Sequence, residues 1–232
     1  MNVLGDAIAR DRRSDSTALS APAVGRRYDY RRFCTSAWKT GNFLRHVGVR
    51  NGAGVAIADD PLPEPVLTLY GAASVGAIVS FAPPRAVERE VRALVVPAAD
   101  AERYSFGPET KQVVYGDPPT DPTVSYFERD IWSENPTEPP DHVEADDTLL
   151  RTTEDSYTHA ETLRAARAVI DRHGIDERDT VAVRGSLAEP TTVIAGLVAP
   201  IVAGAELSIG PDAEGALVVG GTESDVSGIE TA

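Results

Sequence analysis

Residues 48–84 read GVRNGAGVAIADDPLPEPVLTLYGAASVGAIVSFAPP. Asn51-Gly52 is a turn dipeptide, and the following GVAIA run, residues 54–58, has the length and apolar character of a buried strand. The proline-rich segment 61–65 turns the chain and starts a helix, because proline in a first helical turn gives up only an N–H that has no intrahelical partner. The helix runs for about a dozen residues and Gly76 closes it. Residues 77–82 are the next buried strand. Strand, helix, strand at this spacing predicts a βαβ unit with a right-handed crossover. Residues 65–84 carry no charge over 20 positions, long enough to cross a bilayer. They also hold Gly71, Ser74, Gly76, Ser80 and Pro83 between acidic flanks, so helix plus strand explains them better than a membrane span.

Working outward, the same order appears twice. Asp29 is placed to cap a helix over 30–46, with Phe33, Ala37, Leu44 and Val47 on one face and Gly48 as its stop. In the second copy Thr158-His159-Ala160-Glu161 is a capping box, Leu163, Ala166, Val169 and Ile170 form the apolar face, and Gly174 ends the helix. Val55-Ala56-Ile57 is answered by Val181-Ala182-Val183, Leu62-Pro63-Glu64-Pro65 by Leu187-Ala188-Glu189-Pro190, and Gly76-Ala77 by Gly204-Ala205. The repeat of about 55 residues is the scale of two βαβ-type units. Further strands are expected at 93–97, after a brief helical face of Val87, Val91 and Leu94, and at 111–115, 148–152, 205–209 and 216–219. A helix is expected over 189–203.

Residues 116–147, rich in proline and acids, read as loop with a short ordered piece at 126–132, so the main boundary is placed near 145. The expected architecture is α/β: two doubly wound, largely parallel βαβ halves packed together. They are 1–145, ending in the linker, and 146–220, followed by a polar tail at 221–232.

Thirty-six acidic side chains against 22 basic ones give a formal charge of -14, and all the basic residues except Lys39 and Lys111 are arginine. That balance argues against duplex nucleic acid and anionic membrane surfaces as partners. A lysine-poor acidic surface suits a salt-adapted (halophilic) cytoplasm, where a Debye length of about 3 Å at molar salt screens self-repulsion; the alternative is an ordinary acidic protein of a GC-rich genome, which also prefers arginine codons. Residues 1–13 lack the apolar core of a signal peptide. Cys34 is the only cysteine, which excludes an intrachain disulfide and a cysteine-based zinc cluster.

Residues 28–84 resemble the opening of the AMP-forming acyl-CoA synthetase superfamily, which includes acyl and aryl CoA ligases, nonribosomal-peptide adenylation domains and luciferases. The resemblance rests on Tyr28-Asp29-Tyr30, Gly48-Val49, Val55-Ala56-Ile57 and Gly76-Ala77. Residues 111–115, Asp146-Asp147-Thr148-Leu149-Leu150, Thr158-His159 and 200–209 then follow in the family's order, so most of 20–215 is covered. It implies the first part of the family's large domain. In the family, the Asp-Thr-Leu-Leu strand leads into a Ser/Thr/Gly-rich phosphate loop ending Pro-Lys-Gly. Here the corresponding Arg151-Thr152-Thr153-Glu154-Asp155-Ser156-Tyr157-Thr158-His159 is shorter and has neither glycine nor lysine. Backbone N–H groups freed by glycine and a lysine charge are what hold a triphosphate. Thr152 and Thr153 stand at the remnant phosphate-loop position and are the cofactor-binding candidates the resemblance offers. Glu154 and Asp155 place negative charge there instead. The family's later motifs and its mobile domain with the catalytic lysine have no counterpart in the sequence. Gly221-Thr222-Glu223 echoes one of them too early in the chain.

No catalytic or metal-binding set emerges otherwise. Ser156 and His159 are better read as parts of a helix start than as a nucleophile and base. His159 and His173 are separated by nearly four helical turns and cannot share a metal. His46 and His173 complement helix C-termini, Cys34 is inert packing, and Asp59-Asp60 and Asp146-Asp147 are solvated or charged loops.

The expectation is a cytoplasmic acyl-CoA synthetase-like scaffold without catalysis, a binding or regulatory subunit with no cofactor of its own. It would pair with itself or with a complete ligase-type chain. The alternative is half of a split AMP-forming ligase that binds acyl-CoA or adenylate, and hence ATP/AMP and CoA, with a partner chain. A third reading is a small-molecule module with its ligand between the repeated halves.

Overall fold

A computed structural model describes residues 1–220. The polar tail at 221–232, with Gly221-Thr222-Glu223, lies outside the described residues. The chain opens with 3-10 turns at Leu4–Ile8 and Arg10–Arg12, then β1 (Thr17–Ala21), β2 (Arg26–Asp29) and α1 (Tyr30–His46). The βαβ unit follows as β3 (Gly54–Ile57), α2 (Pro63–Ala73) and β4 (Ile78–Phe81). Next come β5 (Val91–Pro97), β6 (Lys111–Tyr115), β7 (Ser125–Tyr126) and a short α3 (Phe127–Asp130). The second half contributes β8 (Thr148–Arg151), β9 (Ser156–Thr158), α4 (His159–His173) and β10 (Thr180–Val183). It ends with α5 (Pro190–Thr192), a π-helical stretch at Val193–Val198, α6 (Ala199–Ala203), β11 (Glu206–Ile209) and β12 (Leu217–Val219).

These strands form two sheets, ordered β7-β6-β5-β3-β4-β8-β9 and β12-β10-β11-β1-β2. All neighbouring pairs are parallel except β8–β9 and β1–β2, each an antiparallel edge. The α/β architecture of largely parallel, helix-connected sheets is as the sequence implies. Sheet membership, however, crosses the division at residue 145. β8 and β9 complete the sheet built by the first half, and β1 and β2 extend the sheet of the second.

Local chemistry explains the elements that position the site. Every residue of α2 is buried, because the helix lies against β3 and β4 on one side and β1 on the other. A helix apolar all round is stable only in such a layer, so the uncharged stretch at 65–84 is interior rather than membrane-spanning. Among the described residues no helix is long and apolar enough to cross a membrane. The two repeated helices α1 and α4 carry their expected caps. Asp29 accepts from the Arg32 N–H at 2.6 Å, and Thr158 and Glu161 satisfy each other's backbone N–H groups. Gly76 and Gly204 stand at equivalent turns with φ of 70° and 85°, a region that side-chain-bearing residues avoid.

Three expectations are corrected. Residues 189–203 are not one regular helix. Pro200 has no N–H to donate and its ring crowds the carbonyl four residues back, which accounts for the widened turn at 193–198. The short helical face at Val87, Val91 and Leu94 does not form; the β-branched run instead joins β5 from Val91. β1, β2, β7 and β9 are additional to the strands read from the sequence.

Candidate functional site

The segment where a phosphate loop is expected is a tight hairpin between β8 and β9. Arg151 pairs with Ser156, leaving four residues, 152–155, to turn the chain. The Thr152 N–H donates to the Asp155 carbonyl at 2.8 Å. The Glu154 and Asp155 N–H groups donate to the Thr152 hydroxyl oxygen at 3.3 and 2.9 Å. Three of the four loop amides therefore point into the turn, and the Thr152 side chain is the hub that holds them. Thr153, Glu154 and Asp155 are exposed.

The helix N-terminus behind the hairpin is equally closed. His159 N–H donates to the Asp147 carbonyl and Ala160 N–H to the Ala145 carbonyl, while Glu161 N–H donates to the Thr158 hydroxyl. An α-helix start binds anions only through N–H groups that the chain has left free. Here the residues before the helix have taken them.

A cleft of about 470 Å³ lies between this hairpin and the loop that starts α5, with Phe81 and Leu150 on its floor. Its charged lining is Arg151 against Glu154, Asp155 and Glu189. The field in the cleft therefore repels an anion such as a triphosphate. Thr152 and Thr153 both line it, but the Thr152 hydroxyl is already committed within the turn.

The expected nucleophile and base do not meet as a pair. Ser156 is exposed on the edge strand, whereas His159 is 0% exposed and its Nδ1 accepts from the Leu4 N–H at 3.0 Å. Burial pushes the His159 imidazole down to about 4, against smaller opposing pulls from Asp147 and Asp6. The residue is thus a neutral pin for the N-terminal 3-10 turn. Cys34 is fully buried, and burial raises its thiol to about 11, far from the thiolate form that reacts. His46 and His173 are exposed on separate helices. Among the described residues no group of three or more His, Cys, Asp or Glu side chains is placed to hold a metal.

Two acids expected in a solvated turn have structural partners instead. Asp59 accepts from the Ser186 hydroxyl and from the Leu187 N–H at 2.6 Å, which ties the loop after β3 to the loop after β10. The Asp60 carboxylate accepts from the Tyr115 hydroxyl at 2.8 Å; burial raises Asp60, and that hydrogen bond opposes the rise. Asp147 accepts from Asn51 and from the Glu144 N–H, each at 2.9 Å, and these bonds hold its carboxyl below the usual range. Sequence spacing could not reveal the Asp59 and Asp60 contacts, since their partners lie 127 and 55 residues away.

A second concavity, lined by Arg26, Arg31, Arg32, Lys39 and Arg13, was not anticipated. The signal was present as RRYDYRR at residues 26–32.

The fold defined by these two sheets and the layer of helices between them is that of the N-terminal part of the large domain of adenylate-forming ligases. Residues 7–102 match the sequence model of the AMP-binding enzyme family. The chain is similar in fold to an anthranilate CoA ligase, AuaEII, crystallised with anthranoyl-AMP: TM-score 0.75, 20% identity, covering 91% of this chain and 45% of that one. It is also similar to the N-terminal domain of FACL13 from Mycobacterium tuberculosis, with TM-score 0.71, 19% identity and coverage of 90% and 57%. A third likeness is to the nonribosomal peptide synthetase FmoA3, with TM-score 0.73, 18% identity and coverage of 90% and 23%. The chain spans about half the length of the ligase structures it matches. No curated protein matches its sequence. The resemblance to the N-terminal part of acyl-CoA synthetases thus rests on a family match over the first hundred residues and a shared fold over nine tenths of the chain.

Proposed function

We propose that this chain is an acyl-CoA synthetase-like scaffold that does not form adenylates itself and serves as a binding or regulatory subunit in a salt-adapted cytoplasm. The observation that carries the reading is the Thr152-centred hairpin. Three of its four amides are consumed internally, and it presents Glu154 and Asp155 to the cleft. A triphosphate there would meet like charge and few free donors, so ground-state and transition-state phosphate alike go unsupported. The implied partners are a second copy of the chain or a complete ligase-type chain; nucleic acid and membranes are disfavoured by the -14 charge.

The test is Mg-ATP binding by thermal shift, with acyl-dependent pyrophosphate exchange alongside. A melting temperature that moves by less than about 1 °C at saturating ATP, with no exchange, is expected, since a ligand present at 100 times its Kd stabilises by about 2.7 kcal/mol. A shift of several degrees overturns the proposal.

One observation favours the alternative, a split ligase half that uses ATP and CoA with a partner chain. The cleft beside the hairpin remains open at about 470 Å³. Pyrophosphate exchange that appears only when a complementary chain is added would support that reading and displace the first.

A further inference from the structure

The concavity at β2 and the first turns of α1 inverts the charge of the molecule. In a chain of net charge -14, five cations, Arg13, Arg26, Arg31, Arg32 and Lys39, line one hollow of about 470 Å³. Glu128 is the only carboxylate in its lining. One Glu128 oxygen accepts from the Gly116 N–H at 2.8 Å and the other is buried without a hydrogen-bond partner, so a single carboxylate faces five cations. Arg26 is paired with Glu64 behind the wall, and Arg31 with Asp15 at 3.0 Å. Arg13, Arg32 and Lys39 make no ion pair among the described residues. Arg13 also has a buried Nε with no hydrogen-bond partner, a donor that lacks an acceptor. Gathering like charges without counter-charge costs free energy, and an anionic ligand removes that cost.

Apart from the hydroxyls of Thr35 and Ser36, the rest of the lining is apolar and aromatic. Tyr28 carries two guanidiniums over its ring, Arg26 at 5.7 Å and Arg32 at 5.6 Å. Phe127 and Ile131 form the opposite wall. Trp132 stands at the rim, 73% exposed, with the Lys39 ammonium 5.4 Å from its ring and donating to its carbonyl at 2.6 Å. Strand alternation explains the selection: Arg26 and Tyr28 face the hollow, whereas Arg27 between them turns away to Thr17 and Glu206. A volume in the range of small-molecule sites, unpaired guanidiniums and an exposed indole specify a ligand with an anionic head and a flat apolar body.

We infer that this pocket is a binding site for a small organic anion, a carboxylate or phosphate carried on an aromatic ring. It shares no lining residue with the cleft at the hairpin, and the inference stands whether or not ATP binds there. Arg32 and Arg13 hold the head, Lys39 adds charge at the mouth, and Trp132 stacks on the ring.

The experiment is calorimetric titration of the full chain with 1-naphthyl phosphate, 1-naphthoate and the neutral 1-naphthalenemethanol, in about 0.1 M salt, where the Debye length is about 10 Å. At least one anion is expected to saturate with a Kd below about 1 mM, and the neutral probe to bind about tenfold or more weaker. Whichever of the phosphate and the carboxylate binds tighter identifies the preferred head. R32A at an exposed site and K39A at a half-buried one have their folding checked by circular dichroism; their combination is expected to weaken the anion about tenfold or more, and W132A about fivefold. R151A, at the hairpin cleft, is expected to leave binding unchanged. The inference is overturned by absence of saturable anion binding, by equal affinity for the neutral probe, or by a loss that follows R151A instead of the pocket variants.

Discussion

Two hollows of similar size open on this molecule, and they are chemical opposites. The cleft beside the hairpin is lined by one arginine and three carboxylates, with its backbone donors folded inward. The pocket at β2 and α1 is lined by five cations and one half-buried carboxylate, with aromatic rings exposed to whatever enters. The resemblance places a phosphate loop at the first of these hollows, where this chain has neither glycine nor lysine over 151–159. In this chain the donors for an anion have gathered elsewhere. The net charge of -14 therefore matches the sign of the first hollow and says nothing of the second. A protein's field at a site is set by the few groups within a Debye length, and distant charge contributes little.

Three variants or conditions break or sharpen this contrast at the level of stability. The largest effect is expected at the wall of the cationic pocket. Glu64 is 1% exposed, depends on Arg26 for its counter-charge, and has a second oxygen without a hydrogen-bond partner. R26M leaves that carboxylate buried and unpaired, at a cost of about 2–4 kcal/mol after allowing for the partly exposed arginine. Urea unfolding measures it, and the double change R26M/E64M is expected to recover most of the loss. If R26M costs nothing, the cations of the pocket are not anchored by the fold.

The next effect tests the ground behind the hairpin. His159 titrates near 4 in the folded chain against about 6.5 when exposed. Between these values the unfolded chain binds the proton that the native chain refuses, so stability rises with pH. It is fully present above about pH 6.5 and is lost as pH falls to about 4, by roughly 3 kcal/mol. H159N keeps an acceptor for the Leu4 N–H and is expected to remove this component; the difference between the two pH–stability curves isolates it from the carboxylates. The smallest effect is in the hairpin itself. T152A strands the Glu154 and Asp155 N–H groups at an exposed turn, and the expected cost is about 0.5–1.5 kcal/mol with faster hydrogen exchange at those two amides. A larger loss would mean that the closed turn supports the sheet edge as well as occluding the loop.

Much of the fold was legible because its signals are local. The run at 54–57, the proline start and the glycine stop placed β3, α2 and β4, and the capping residues placed α1 and α4. β1 and β2 escaped notice for a physical reason. Thr17–Ala21 lacks an apolar run and Arg26–Asp29 is almost all charged, so their local hairpin carries no strand pattern, and the other neighbour of β1, β11, lies nearly two hundred residues later. The π-helical stretch was implicit in Pro200, since a proline inside a helix must disturb the turn before it. The candidate cleft was partly legible: missing glycine and lysine in 151–159 predict a poor phosphate site, but the inward hydrogen bonds of Thr152 belong to the folded turn.

By itself, the sequence determined the alternation of strands and helices, the twofold repeat of that order and the acidic, lysine-free chemistry of the hairpin. Each of these is a property of neighbours along the chain. Tertiary structure alone decided that β8 and β9 join the first sheet, and that Asp59 reaches Ser186. It also decided that Arg13 and Lys39 converge on the arginines of β2 and α1. Long-range contacts depend on loop closure and the packing of whole layers, and neither is written in any local pattern.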